Sequence, residues 1–188
     1  VLRVFKLRRA RRSAVPDLIG NFRDHADYQL LQKWDGMKLY VTPTSPYARM
    51  AMIVRLEKDI ADRVELVWTR TRNPDDPMLA INPSGRIPFL LLDDGTGFED
   101  TDVIVPFLDD LEPPHRFDPP DDDLHWVFRG QQAISRSMLD GISVWAREIV
   151  RPEDEQSPGI IEHERKRAMR LAEHFEAVID APPLTGDL

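Results

Sequence analysis

Ser45 leads Pro46, Tyr47 and Ala48 in the stretch TSPYARM, directly after the strand-like MKLYV. A serine at that point can cap a helix, because its oxygen accepts from an orphan amide two or three residues on. Pro46 then takes the first helical position, where a missing N–H costs nothing. The first amides of such a helix point outward with partial positive charge, so an anion seated there is stabilised without a metal. A thiolate is such an anion, and thiol pKa values fall from about 8.5 to as low as ~3.5 near helix N-termini. The chain contains no cysteine, so the thiol would have to arrive on a substrate. On this stretch alone, a plain N-cap also accounts for Ser45.

Two further points could grip the rest of such a substrate. Ile87-Pro88 opens an apolar strand in NPSGRIPFLLLDDG, an unusual place for proline. A cis bond there would turn the preceding backbone outward and expose its N–H and C=O to a ligand's peptide group. Asp100-Thr101 opens another helix, FEDTDVIVPFLDDL, whose capping oxygens and amides could take a second charged group.

The elements that must position these residues follow from the pattern. MKLYVT reads as a strand, SPYARMAMIVRLEK as a helix and RVELVWT as a second strand. A loop, a short helical turn at MLAI, a hairpin turning at Asp93-Asp94-Gly95 and the helix after Asp100 complete a β-α-β-α-β-β-α order. Pro106 falls inside that last helix, where proline removes a hydrogen bond at a cost of about 3 kcal/mol. EPPHRFDPPDDD, with its four prolines, reads as a linker. Beyond it, two amphipathic helices are expected, the second with Ile161, Ala168, Leu171, Ala172, Phe175, Val178 and Ile179 on a buried face.

The whole chain narrows the function classes. It has 188 residues, 41% apolar content and a net charge of −8. That balance argues against a general nucleic-acid or anionic-membrane binder. The lack of cysteine excludes a disulfide framework, a zinc-thiolate site, a cysteine nucleophile and an internal dithiol cycle. No run approaches the ~20 apolar residues of a membrane span. The opening VLRVFKLRRARRSAVP is Arg-rich and acid-free, and residues 1–36 are expected to lie outside the fold, with Met37 as the natural start.

MKLYVTPTSPYARM, NPSGRIPFLLLDDG and FEDTDVIVPFLDDL, in that order, together resemble the amino-terminal domain of the glutathione S-transferase superfamily, serine type. The resemblance implies a thioredoxin-like α/β domain over 37–111, a linker over 112–120 and an all-α domain over 121–188. It further implies a glutathione transferase that conjugates glutathione to small hydrophobic electrophiles, with glutathione as co-substrate and no other cofactor. Carried over by position, Ser45 holds the glutathione sulfur and the Ile87 backbone pairs with the cysteinyl part, with Pro88 as the family's cis-proline. Asp100 and Thr101 take the γ-glutamyl end, Thr101 standing where the family usually has serine. Arg86 falls near the glycyl carboxylate, and Trp126, Arg129 and Met138 line the acceptor pocket. The family also implies a cytoplasmic homodimer, with no membrane and no nucleic-acid partner.

The chain stops at PPLTGDL, where Gly186-Asp187 resembles the lead into a further buried helix, so the helical domain is expected to be incomplete. That expectation keeps an alternative in play, a non-catalytic transferase-like module for protein interaction. Other constellations fail on spacing. Gly95-Thr96-Gly97 lacks the third glycine of a dinucleotide fingerprint, and His163 and His174 are too far apart on one helix for a metal pair. Asp93-Asp94 and Asp109-Asp110 are expected as turns or caps, and the tryptophans as core or interface residues.

Overall fold

The computed structural model describes residues 36–114, 117, 119 and 123–178, all within one compact unit of the chain. The expected extension 1–36 lies outside them apart from Gly36, as do Ile179, the 186–187 pair and part of the 112–120 linker.

Four strands, β1 (Met37–Val41), β2 (Val64–Trp68), β3 (Phe89–Leu91) and β4 (Gly97–Glu99), form one sheet in the order β2-β1-β3-β4. Met37, Leu39 and Val41 are fully buried while Lys38 between them is exposed, the period-two alternation of a strand with one covered face. β1 and β2 run parallel with Leu39 opposite Leu66, which requires a crossover. Helix α1 (Pro46–Glu57) supplies it and buries Ala48, Ala51 and Val54. β3 returns antiparallel to β1, and β4 antiparallel to β3. The turn between them uses Gly95 at φ 88°, a conformation that favours glycine.

The expected turn at MLAI is a 3-10 turn, Pro77–Ala80, capped by Asp76, whose carboxylate accepts from the Met78 N–H at 2.9 Å. Helix α2 (Thr101–Asp110) contains Pro106 and buries Ile104 and Leu108, packing against α1. The architecture is a thioredoxin-like α/β sheet followed by a helical region.

That region consists of α3 (His125–Ile149) and α4 (Pro158–Val178), which pack on each other. A Cβ at Gly141 would lie 2.5 Å from Glu164 Oε2, so a larger residue there would have to displace the Glu164 carboxylate. The face of α4 expected to be buried is half-buried, and Glu164 is its one buried residue. Two of the expected core or interface tryptophans, Trp68 and Trp126, are 57% and 80% exposed, so neither belongs to the core.

The Asp109-Asp110 pair departs from the turn or cap expected of it. Asp109 is fully buried and pairs with Lys58, the C-cap of α1, at 2.9 Å. Lys58 Nζ also donates to the Pro114 carbonyl at 2.6 Å, and Asp109 Oδ2 accepts from the Phe117 N–H at 2.9 Å. This one ion pair ties the ends of α1 and α2 to the chain that leaves the sheet domain.

Candidate active site

Ser45 sits at the mouth of α1 as its N-cap, with extended backbone. Its Oγ accepts from the Ala48 N–H at 3.1 Å and donates to the Ile87 carbonyl at 3.5 Å. The second contact is at the outer limit of a hydrogen bond, so the hydroxyl proton is loosely held and free to turn towards an incoming anion. The Ile87-Pro88 bond is cis, with Ile87 half-buried and Pro88 buried beneath it. Sequence positions 45 and 87 therefore meet at one end of the sheet.

Asp100 caps α2 and adopts φ 76°, ψ 137°. Such a conformation is sparsely populated by residues other than glycine, and persists where the surroundings hold it. Here the surroundings include Arg136 from the middle of α3. Its Nη2 donates to both Asp100 oxygens at 2.9 and 3.0 Å, and its Nη1 to Asp102 Oδ1 at 2.8 Å and Thr101 Oγ1 at 2.9 Å. The guanidinium also lies over the Tyr47 ring, 5.4 Å from its centroid. Tyr47 in turn donates from its hydroxyl to Asp140, one turn beyond Arg136.

Arg136, Asp102, Tyr47 and Asp140 were not singled out from the sequence. The available signal was the (i, i+4) pairing of Arg136 with Asp140 and the Asp-x-Asp opening of α2. Burial pushes the Tyr47 phenol up, and the hydrogen bond to Asp140 adds to this. Tyr47 is thus a committed donor to Asp140 rather than a base for a thiol.

Burial by itself would raise the Asp100 carboxyl, but the Asp102 amide and the Arg136 guanidinium together outweigh it and hold the group below the usual carboxylate range. A depressed carboxylate contributes stability that is present above its unfolded pKa of ~3.9 and is lost as pH falls through the lower folded value. The pair is partly exposed, so the contribution is below about 1 kcal/mol. Thermal melts of wild type and Arg136→Gln should therefore differ near neutral pH and converge as pH falls through that range. A gap that persists into strong acid would show that Arg136 acts through packing instead.

The remaining expected residues lie further out. Arg86 is exposed, while its backbone is fixed by Ser84 Oγ, which accepts from its N–H at 3.0 Å, and by Asn82 Nδ2, which donates to its carbonyl at 2.8 Å. On α3, Arg129 pairs with Gln132 and Trp126 is exposed. Both lie roughly two to three turns before Arg136, and Met138 points about 180° round the helix from Arg129. Arg129, seven residues before Arg136, lies on nearly the same face of α3 two turns away. Among the described residues, no cluster of three or more His, Asp or Glu side chains could hold a metal, and no helix is long and apolar enough to cross a membrane.

A sheet of this order, with a capping hydroxyl at the first helix, a cis-proline opposite and a helical region following, defines a thioredoxin-like domain. A family model described as glutathione S-transferase, N-terminal domain, matches residues 39–116. The uncharacterized GST-like protein YibF of Escherichia coli K12 is 27% identical over 143 residues, covering 76% of this chain and 70% of that protein. A glutathione S-transferase of Methylobacillus flagellatus KT, solved with glutathione bound, is 32% identical with a TM-score of 0.67, covering 77% of this chain and 71% of that one. A glutathione transferase family member from Pseudomonas fluorescens Pf-5, also with bound glutathione, is 26% identical with a TM-score of 0.69, over 75% of this chain and 70% of that one. The chain belongs to the glutathione S-transferase family.

Proposed function

We propose that the protein is a glutathione transferase that holds the glutathione thiolate at Ser45 and presents it to a small hydrophobic electrophile. The observation that carries this reading is the Ser45 hydroxyl, fixed at the positive end of α1 and bound only weakly to Ile87. In this reading Ser45 Oγ donates to the sulfur, and the α1 amides add their field. The Ile87 backbone, above Pro88, pairs with the cysteinyl part of the tripeptide. Asp100 and Thr101 take the γ-glutamyl ammonium and carboxylate, and Arg86 the glycyl carboxylate. Catalysis comes from the lowered thiol pKa together with positioning.

The test is conjugate formation from glutathione and a panel of electrophiles, detected by mass and compared with the uncatalysed rate. No conjugate above that rate by a folded sample that binds glutathione would refute the transferase reading.

The exposure of Leu124, Trp126 and Val127 at the start of α3 favours a second reading, a transferase-like module that docks other proteins through that end. The same patch also supports the homodimer the family implies. Light scattering on wild type and Trp126→Ser distinguishes a self-associating surface from a monomer's docking site. Loss of glutathione affinity altogether would favour the module.

A further inference from the structure

Arg136, Asp140, Val144 and Arg147 recur at intervals of three and four along α3, so they form one stripe on the helix, and Arg151 follows just past its end. The stripe begins against Asp100 and Thr101, passes Tyr47 at Asp140, and continues into an open cleft of about 520 Å³ lined by Arg72, Val144, Arg147, Glu148, Arg151 and Glu155. The opposite wall, Arg72, follows the end of β2. Because β1 and β2 are parallel, that loop leaves the same end of the sheet as the loop carrying Ser45, and the Thr69 N–H donates to the Val41 carbonyl at 3.0 Å to join them. The cleft thus opens at the same end of the sheet as Ser45, and its Val144 lies one helical turn beyond Asp140.

Its charges are unevenly matched. Glu148 and Glu155 are taken by Arg151, at 3.4 and 3.3 Å, and Glu148 Oε2 also accepts from the Ser157 N–H at 3.0 Å. Arg147 donates its Nε to the Ser143 carbonyl at 2.9 Å, which leaves both terminal nitrogens of its guanidinium for another partner. Arg72 and Arg147 form no ion pair among the described residues. Two guanidiniums facing one cleft, with the local acids already satisfied, fit a planar anion that each can approach through its fork of donors. Val144 offers an apolar contact beside them.

We propose that this cleft seats the acceptor and selects electrophiles that carry a carboxylate, held between Arg72 and Arg147. The inference rests on the transferase reading and names the substrate class of that same site. The probe pair is 4-chloro-3-nitrobenzoate and its uncharged amide. In either reaction the glutathione sulfur forms a bond to the ring carbon that bears chlorine. The carbon–chlorine bond breaks, chloride leaves with the electron pair, and the thiol proton passes to solvent.

Each kcat/KM is divided by the uncatalysed rate constant for the same acceptor. Wild type should prefer the acid by about tenfold, a preference of the size expected for partly exposed charges and weakened by added salt. Arg72→Gln combined with Arg147→Gln should remove most of that preference while the glutathione Kd, measured by calorimetry, stays constant. An equal response to acid and amide in wild type overturns the inference and leaves the transferase reading standing. A weakened glutathione Kd in the double variant overturns it too, by assigning the two arginines to the glycyl carboxylate. Absence of glutathione binding in wild type would overturn both readings together.

Discussion

Ser45→Ala should lower kcat/KM for glutathione conjugation by about 10²-fold, the scale of one lost donor to a developing or resident anion. Ser45 Oγ accepts from the Ala48 N–H, so its lone pairs serve the fold and its proton serves the ligand. Alanine removes both roles. The lost cap should destabilise the protein by about 1 kcal/mol, which leaves a folded protein at ordinary temperatures, whereas the lost proton would leave the proposed thiolate with only the helix amides. Ser45→Thr keeps the hydroxyl and the cap and should retain most of the activity. Steady-state kinetics on both variants, with a melting curve for each, separates the two roles. An unchanged rate in Ser45→Ala would remove Ser45 from the mechanism and turn attention to Thr44, Tyr40 or the backbone amides.

Asp109→Ala should cost about 3–5 kcal/mol of folding stability, because it strands a buried ammonium. Lys58 and Asp109 are 2% and 0% exposed and 2.9 Å apart, so neither charge has much access to water once its partner is gone. The Pro114 carbonyl still accepts from Lys58, but a neutral acceptor does not replace a counter-ion. The pair itself is a weak source of net stability, since the desolvation of two charges offsets most of their attraction. Lys58→Met combined with Asp109→Leu should therefore recover most of the loss. Chemical denaturation of the single and double variants tests this, and a single variant within about 1 kcal/mol of wild type would contradict the account.

Where local rules act alone, the sequence was readable. The alternation around Leu39 and Val41 announces β1, Ser45-Pro46 the start of α1, and Pro88 at a strand start a cis bond. Each signal is carried by residues adjacent in the chain. Arg136 was not readable that way, because its meaning lies in Asp100, Thr101 and Asp102, some 34 to 36 residues earlier, and in the face of α3 that the fold turns towards them. Asp109 was missed for a related reason. Two adjacent aspartates near a helix end look like caps, and only the packing of α1 on α2 brings Lys58 to one of them.

The protein should bind glutathione as its thiolate at the mouth of α1. Titration calorimetry near neutral pH, repeated in two buffers of different ionisation enthalpy, measures affinity and proton release in one experiment. The account predicts binding with release of about one proton per glutathione, since a thiol with an unperturbed pKa of about 8.5 must ionise to occupy the site, and no release with S-methylglutathione. Failure of a folded sample to bind glutathione, or binding without proton release, would contradict it.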